Sequence, residues 1–363
     1  MANRIERMLL DSSNSFFRRR YNRYFLNELR NIEKHSEVEL VDLTKQQTAE
    51  IMDYYASRGF KDIRTDWHRY ILSSTGRWSP QMVPENFYHL ILERIYNDKE
   101  IAGWEDKAFM TTLLPNVLFP TTLVANVNGY FINDRREIIS EQEAKNIVMD
   151  EGSAFAKPSR NSGGGRNATL VSAENIDSVF ADLRKNYVVQ KIIKQHPETA
   201  AFNPSSVNTE KILSFLFKGE VFVLSAHMRV GAPDSFTDNA SGGKGYTFGI
   251  KPDGYIEPVG MNVFGKKRET DYSGKLLKGR KLSYHKEICE IIKKAHKLLP
   301  YFGFVSWDFC VTDNGEPLLI EYNTSNAEAL VYQMTSGTLF GELLDDVLMD
   351  AKNHCASIKY TRF

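Results

Sequence analysis

The sequence predicts an α+β protein with a mainly helical N-terminal region, followed by short strands that alternate with helices to the end of the chain. Up to about residue 105 the apolar residues recur three and four apart, as in residues 17–32, 48–57 and 87–96, and strand signals are scarce. Beyond Trp104 the character changes, beginning with a Pro- and β-branched-rich stretch at 116–127. A second change falls near His196-Pro197, where the polar stretch 202–209 separates two groups of strands. The expected organisation is therefore a helical region over 1–105, a smaller subdomain over 106–195 and a C-terminal subdomain over 196–363.

Composition narrows the function classes. With Lys+Arg 46 against Asp+Glu 46 among 363 residues, the net charge is zero, which argues against a general nucleic-acid binder but leaves room for a local basic pocket. Hydrophobic residues at 42% and charged residues at 25% are those of an ordinary globular protein. The three cysteines, Cys289, Cys310 and Cys355, show no C-x-x-C spacing, so neither a zinc site nor a disulfide framework is expected and a reducing compartment is the simplest reading. No apolar stretch approaches the roughly 20 residues of a membrane span, and the short run Met8 to Leu10 is no signal-peptide core, so the expected location is cytoplasmic. Arg18, Arg19, Arg20 and Arg23 read as the solvated face of a helix.

In the middle block, 154–157 reads as a strand, 159–167 as a turn and 168–171 as the returning strand. The tip, S-R-N-S-G-G-G-R-N, is longer than a strand reversal needs. Consecutive glycines let backbone N–H groups approach an oxyanion, and Lys157 and Arg166 flank them, which describes a phosphate cradle; a mobile surface loop is the alternative. Gly163-x-Gly165-x-x-Ala168 imitates a dinucleotide fingerprint, but that motif must open a helix and here a strand follows. A helix over 173–185 with Ser172 as N-cap leads to the β-rich run 187–193, whose end forms an edge for a flat ligand.

The C-terminal third carries the strongest chemistry. The runs 304–311 and 317–322 flank Asn314-Gly315, a strong hairpin signal. If those two are the central turn residues, Asp308 falls opposite Glu321. Facing like charges destabilise a sheet unless a cation intervenes, and Asn323 adds an amide oxygen on the same face. Oxygen ligands of this kind describe a Mg²⁺ or Mn²⁺ site; carboxylates paired with Lys or Arg at the surface are the alternative. Lys211 lies on a strand at 211–217, and Arg229 ends the strand 221–229 before a Gly-rich loop, placed for an anion or for a structural ion pair.

In order, Asp106-Lys107, Ala156-Lys157-Pro158, Val188-Val189-Gln190, Asn208-Thr209-Glu210-Lys211, Arg229, Asn239-Ala240-Ser241-Gly242-Gly243, and Asp308 through Gly315-x-Pro317 to Glu321-Tyr322-Asn323 resemble the ATP-grasp superfamily. The phrase from His196-Pro197 through Asn203-Pro204-Ser205-Ser206 to Thr209 is similar to its sugar-transfer-associated branch, and the resemblance covers about 105–335. It implies two α+β subdomains gripping ATP. Lys107 and Lys157 would contact phosphates, Ser162, Gly163, Gly164 and Gly165 would fold over them as a lid, and Gln190, Lys191, Ile192 and Ile193 would hold adenine and ribose. Asp308, Glu321 and Asn323 would coordinate the metal. Arg229 would neutralise the transferring phosphoryl group, and Lys211 departs from the Arg usual in the family, giving a point charge in place of a bidentate fork.

The implied activity is an ATP-dependent carboxylate-amine ligase with an acyl-phosphate intermediate, using ATP and Mg²⁺ or Mn²⁺ on small carboxylate and amine substrates, one of them a sugar acid or related precursor, in association with polysaccharide-biosynthesis enzymes. The alternatives are a phosphotransferase acting on a hydroxyl and a nucleotide-binding partner of a glycosyltransferase.

Overall fold

The structure, a computed structural model, describes residues 2–160, 165, 167–233, 235, 238, 245–325, 327–355, 358 and 360, with the side chains of 2–13 and 102 outside that description. The chain begins with helices α1 (Ala2–Lys34), α2 (Lys45–Ser57) and α3 (Asp66–Thr75). Thr44 opens α2 with a capping box, its side chain accepting from the Gln47 amide while the Gln47 side chain reaches back. α4 starts at Glu85–Phe87, widens to a π-helical turn over Tyr88–Leu92 and closes at Glu93–Tyr96. No helix among the described residues is long and apolar enough to cross a membrane.

The middle of the chain forms a six-stranded antiparallel sheet in the order β3-β2-β1-β6-β4-β5. Its strands are β1 (Thr122–Val127), β2 (Tyr130–Asn133), β3 (Ile138–Ile139), β4 (Ser153–Pro158), β5 (Thr169–Ser172) and β6 (Tyr187–Lys191). α5 (Glu141–Glu151) and α6 (Ile176–Leu183) cover one face through Val148, Val179 and Phe180 against Ala154, Ala156 and Val189. α6 is shorter than the sequence suggests, and its N-cap is Asn175: Ser172 stays paired with Ser153 in the sheet, so the helix cannot start there.

The second sheet has seven antiparallel strands in the order β11-β10-β9-β8-β7-β12-β13. These are β7 (Thr209–Phe217), β8 (Glu220–Val230), β9 (Tyr246–Gly249), β10 (Gly260–Met261), β11 (Lys267–Arg268), β12 (Phe304–Val311) and β13 (Pro317–Asn323). Alternation sends Ile212, Val305, Trp307 and Phe309 to one face, where α7 (His285–His296) packs Ile288 and Ile292 on them. Leu213, Phe215 and Phe304 go to the other face, where they meet α2, α4, α8 (Ala329–Ser336) and α9 (Leu344–His354). The helical N-terminal region is thus one wall of the large sheet. The segment after residue 105 also differs from the expected boundary: Met110 and Leu114 are buried in the core of the large sheet, and the chain enters the smaller one only at β1.

Candidate active site

A cleft of about 450 Å³ lies between the two sheets, lined from the smaller by Lys157 and Gln190 and from the larger by Thr209, Asp308 and Glu321. Along β4 the period of two that buries Ala154 and Ala156 under the helices turns Lys157 to the opposite face. Gln190 faces the same way, paired with Phe155, and donates to Thr122 Oγ1 at 3.0 Å. Lys191, Ile192 and Ile193 continue along the cleft edge; the Lys191 ammonium itself pairs with Glu151 at 2.7 Å. Gly165 lines the cleft, whereas Ser162, Gly163 and Gly164 lie outside the described residues.

On the large sheet, adjacent strands bring one row of residues together. Glu321 of β13 is paired with Asp308 of β12, Asp308 with Lys211 of β7, and Lys211 with His227 of β8. The structure places Asp308 opposite Glu321 by a route the sequence did not indicate. The turn is one residue longer than an Asn-Gly pair, since Thr312 bonds Glu316 and Val311 faces Pro317. A bulge at Ile320 then shifts β13 back by one residue. Without it Ile320 would face Asp308, and Glu321 would join the apolar face beside Trp307.

The two carboxylates are not left to repel each other. Lys107 Nζ sits 2.7 Å from Glu321 Oε2, and Lys211 Nζ lies 2.8 and 3.1 Å from the Asp308 oxygens. Lys-paired carboxylates are therefore present, but in a buried cleft instead of at the surface. Lys107 is positioned by its amide, which donates to Ser159 O at 3.0 Å beyond the end of β4. Burial raises the Asp308 carboxyl, helped by Glu321 and opposed by Lys211. Burial also works against the Glu321 carboxylate, yet Lys107 and Lys157 outweigh it and hold that group low. Burial, with Lys107 adding, pulls the Lys157 ammonium down to about 8, so its charge needs an anion in the cleft to be secure.

Arg229 lies next along β8 on the same face as His227, with Thr209 paired to it from β7. Its Nε is 3.6 Å from Asp238 Oδ2, and Asp238 also takes a hydrogen bond from Thr209 Oγ1 and lines the cleft. Burial disfavours the guanidinium charge, but Asp238, Asp308, Glu328 and Glu321 more than offset it. From sequence, Asp238 and His227 carry no site role, and Thr209 stands only as part of the Asn208-Thr209-Glu210-Lys211 motif. For His227 the available signal was its position two residues before Arg229 on a strand, which puts both on one face.

Two carboxylates and, on the same face of β13, the half-buried Asn323 supply only oxygen atoms, a donor set that suits a hard cation. Among the described residues no group of three or more His, Cys, Asp or Glu side chains could hold a metal. Mg²⁺ ordinarily keeps water and phosphate oxygens in its shell and needs only one or two protein carboxylates, so these residues fit it.

The sequence profile of the family described as sugar-transfer-associated ATP-grasp matches residues 89–347. Solved structures with similar folds include the ATP-grasp ligase PsnB complexed with minimal precursor, Mg and ADP, at 13% identity and a TM-score of 0.42, covering 71% of this chain and 62% of that one. Biotin carboxylase from Campylobacter jejuni overlaps at 14% identity and a TM-score of 0.44, covering 71% of this chain and 48% of that one. D-alanyl-alanine synthetase A from Vibrio cholerae O1 biovar eltor overlaps at 13% identity and a TM-score of 0.42, covering 70% and 66%. The chain spans 62% of the length of PsnB. At these identities the family profile, not the overlaps, carries the assignment. No curated protein matches significantly.

Proposed function

We propose that this chain, which belongs to the sugar-transfer-associated ATP-grasp family, is an ATP-dependent carboxylate-amine ligase. A substrate carboxylate oxygen attacks the γ-phosphorus of ATP, the β,γ-bridging P–O bond breaks and ADP leaves. The amine nitrogen then attacks the acyl carbon, the C–N bond forms, the C–O bond to phosphate breaks, and phosphate departs with the electron pair as the amine loses a proton. Lys107 and Lys157 would take the phosphates, and Gln190 with the 191–193 backbone the base and ribose. The lining of the cleft by Lys157, Gln190 and 191–193, and the contact of Lys107 with Glu321 on that lining, support these roles. Asp308, Glu321 and Asn323 would hold Mg²⁺, which when bound neutralises phosphate charge. Lys107 and Lys211, relieved of their carboxylates, can then turn to the anions. Gly-rich residues 162–165 would shut water out.

The observation that carries this reading is Arg229: a half-buried, ionised guanidinium on β8, separated from Asp308 on β12 by the single strand β7, beside a cleft lined by Lys157 and Gln190. Charge that develops during phosphoryl transfer is best met by a fixed donor in a dry site. The family description supports a sugar acid or related precursor as one substrate and polysaccharide-biosynthesis enzymes as neighbours. The use of ATP and the free cysteines support a cytoplasmic setting. With carboxylate and Mg·ATP but no amine, hydroxylamine should trap a hydroxamate, and Arg229→Ala should cut trapping at least a hundredfold while weakening ATP binding less than tenfold. A stable phosphorylated product whose rate ignores added amine would replace the ligase by a kinase.

A further inference from the structure

A second cavity, of about 400 Å³, lies between the N-terminal helices and the large sheet. His227 and Arg229 line it from β8, and Trp67 of α3 lines it from the helical side. Tyr24 and Glu28 of α1 and Glu328, all exposed, also line it and open it to solvent. His227 is only 1% exposed and Trp67 only 2%. Neither nitrogen of the His227 ring nor the indole N–H of Trp67 has a hydrogen-bond partner among the described residues.

Buried polar groups are nearly always paired, so two unpaired rings lining one cavity indicate a ligand that pairs them. Burial, with Arg229 and Lys211 nearby, keeps the His227 imidazole neutral, leaving it one N–H to donate. Of the carboxylates lining the cavity, Glu85 is engaged by His89 and the Ala329 and Leu330 amides, and Glu28 and Glu328 are exposed. The groups left to meet a ligand inside are therefore N–H donors and a guanidinium, the complement of a carboxylate. Arg229 also joins this cavity to the nucleotide cleft, because its partner Asp238 lines the cleft. Phe25, Val263 and Leu330 provide an apolar wall for a carbon skeleton, and the volume admits a body the size of a monosaccharide or an amino acid.

We propose that this cavity binds the carboxylate substrate, its carboxylate held by Arg229, His227 and Trp67, and that the N-terminal helices serve to wall this site. The proposal rests on the ligase reading for what happens to the bound carboxylate, not for its binding. A sugar acid and an amino acid share the recognised group, and the test separates them.

Val331 on α8 lines this cavity and not the nucleotide cleft, so Val331→Cys treated with benzyl methanethiosulfonate fills it. Wild-type protein treated alike accounts for Cys289, Cys310 and Cys355. With Mg²⁺ and a non-hydrolysable ATP analogue present, saturation-transfer NMR reads binding of D-glucuronate and of L-alanine. At least one should bind the untreated variant and lose tenfold or more in affinity after modification, with nucleotide affinity within twofold. His227→Leu and Trp67→Phe should each weaken the same probe about three- to tenfold. Glucuronate alone binding identifies a sugar-acid site, alanine alone an amino-acid site. Binding of neither probe, or binding that survives modification, overturns the assignment. Binding without hydroxamate formation would sink the ligase reading and leave this assignment standing.

Discussion

Two clusters of buried charge, one in α4 and one at the cleft end of the large sheet, are built on different principles. In α4, His89 lies between Glu85 at 3.0 Å and Glu93 at 2.8 Å, one turn away on either side. Glu93 also holds Lys99, and Glu85 accepts from the amides of Ala329 at 3.1 Å and Leu330 at 2.5 Å at the start of α8. A carboxylate at a helix N-terminus is favourable in its own right. Although His89 borders the second cavity, both its nitrogens are taken. In the cleft, by contrast, Lys107 meets Glu321 and Lys211 meets Asp308 across a loop and a strand, while Lys157 has no ion pair among the described residues. The closed cluster fixes α4 against α8, whereas the cleft cluster holds its charges in pairs that a metal and a phosphate chain can exchange.

The largest expected effect tests the cleft. Asp308→Asn or Glu321→Gln should lower ADP release at least a thousandfold, the scale set by loss of charge placed for a transition state. Asp308→Asn should cost only about 1–2 kcal/mol of stability, because the amide oxygen still accepts from Lys211. Facing carboxylates alone would suggest that removing one relieves repulsion; the lysine partners reverse that sign. Wild-type turnover in either variant would take this cluster out of the reaction.

His89→Leu should do the opposite. It leaves two buried carboxylates without their common partner, so a loss of about 3–5 kcal/mol is expected in urea unfolding, with the affinity for a fluorescent ATP analogue unchanged. A loss of nucleotide affinity with little change in stability would erase the contrast.

The smallest effect is the pH dependence of the closed cluster. Burial opposes the His89 charge, but Glu93 and Glu85 raise its pKa from 6.5 to about 9. A raised value stabilises the fold fully below about pH 6.5, and the contribution is lost as pH climbs through about 9. The shift corresponds to at most about 3 kcal/mol. The thermal midpoint should therefore fall between pH 7 and 9.5 more steeply in wild type than in His89→Leu. Parallel slopes would show that the cluster does not titrate in this window.

Much of the cleft is legible in the sequence because strands expose it through alternation. Lys157 is separated from the buried Ala156 by a single residue step, and Gln190 from Val189 in the same way. The Asp308–Glu321 pairing is legible for a less secure reason: the expected turn is one residue too short, and the bulge at Ile320 makes up the difference. Nothing local announces that bulge, since it answers to the demand that Leu319 and Tyr322 both reach the apolar face.

By itself the sequence determined the fold class, the order of its parts and the chemical character of the nucleotide cleft, because periodicity, turn residues and charged side chains on strands act over a few neighbours. Only the tertiary structure decided that Lys107 would neutralise Glu321 across 214 positions of chain, that Glu85 would cap α8, and that α1 and α3 would close a cavity over His227 and Arg229. Such contacts depend on how whole faces of helices and sheets dock. Docking is driven by apolar area that many side chains share, so no short motif encodes which distant residues it brings together.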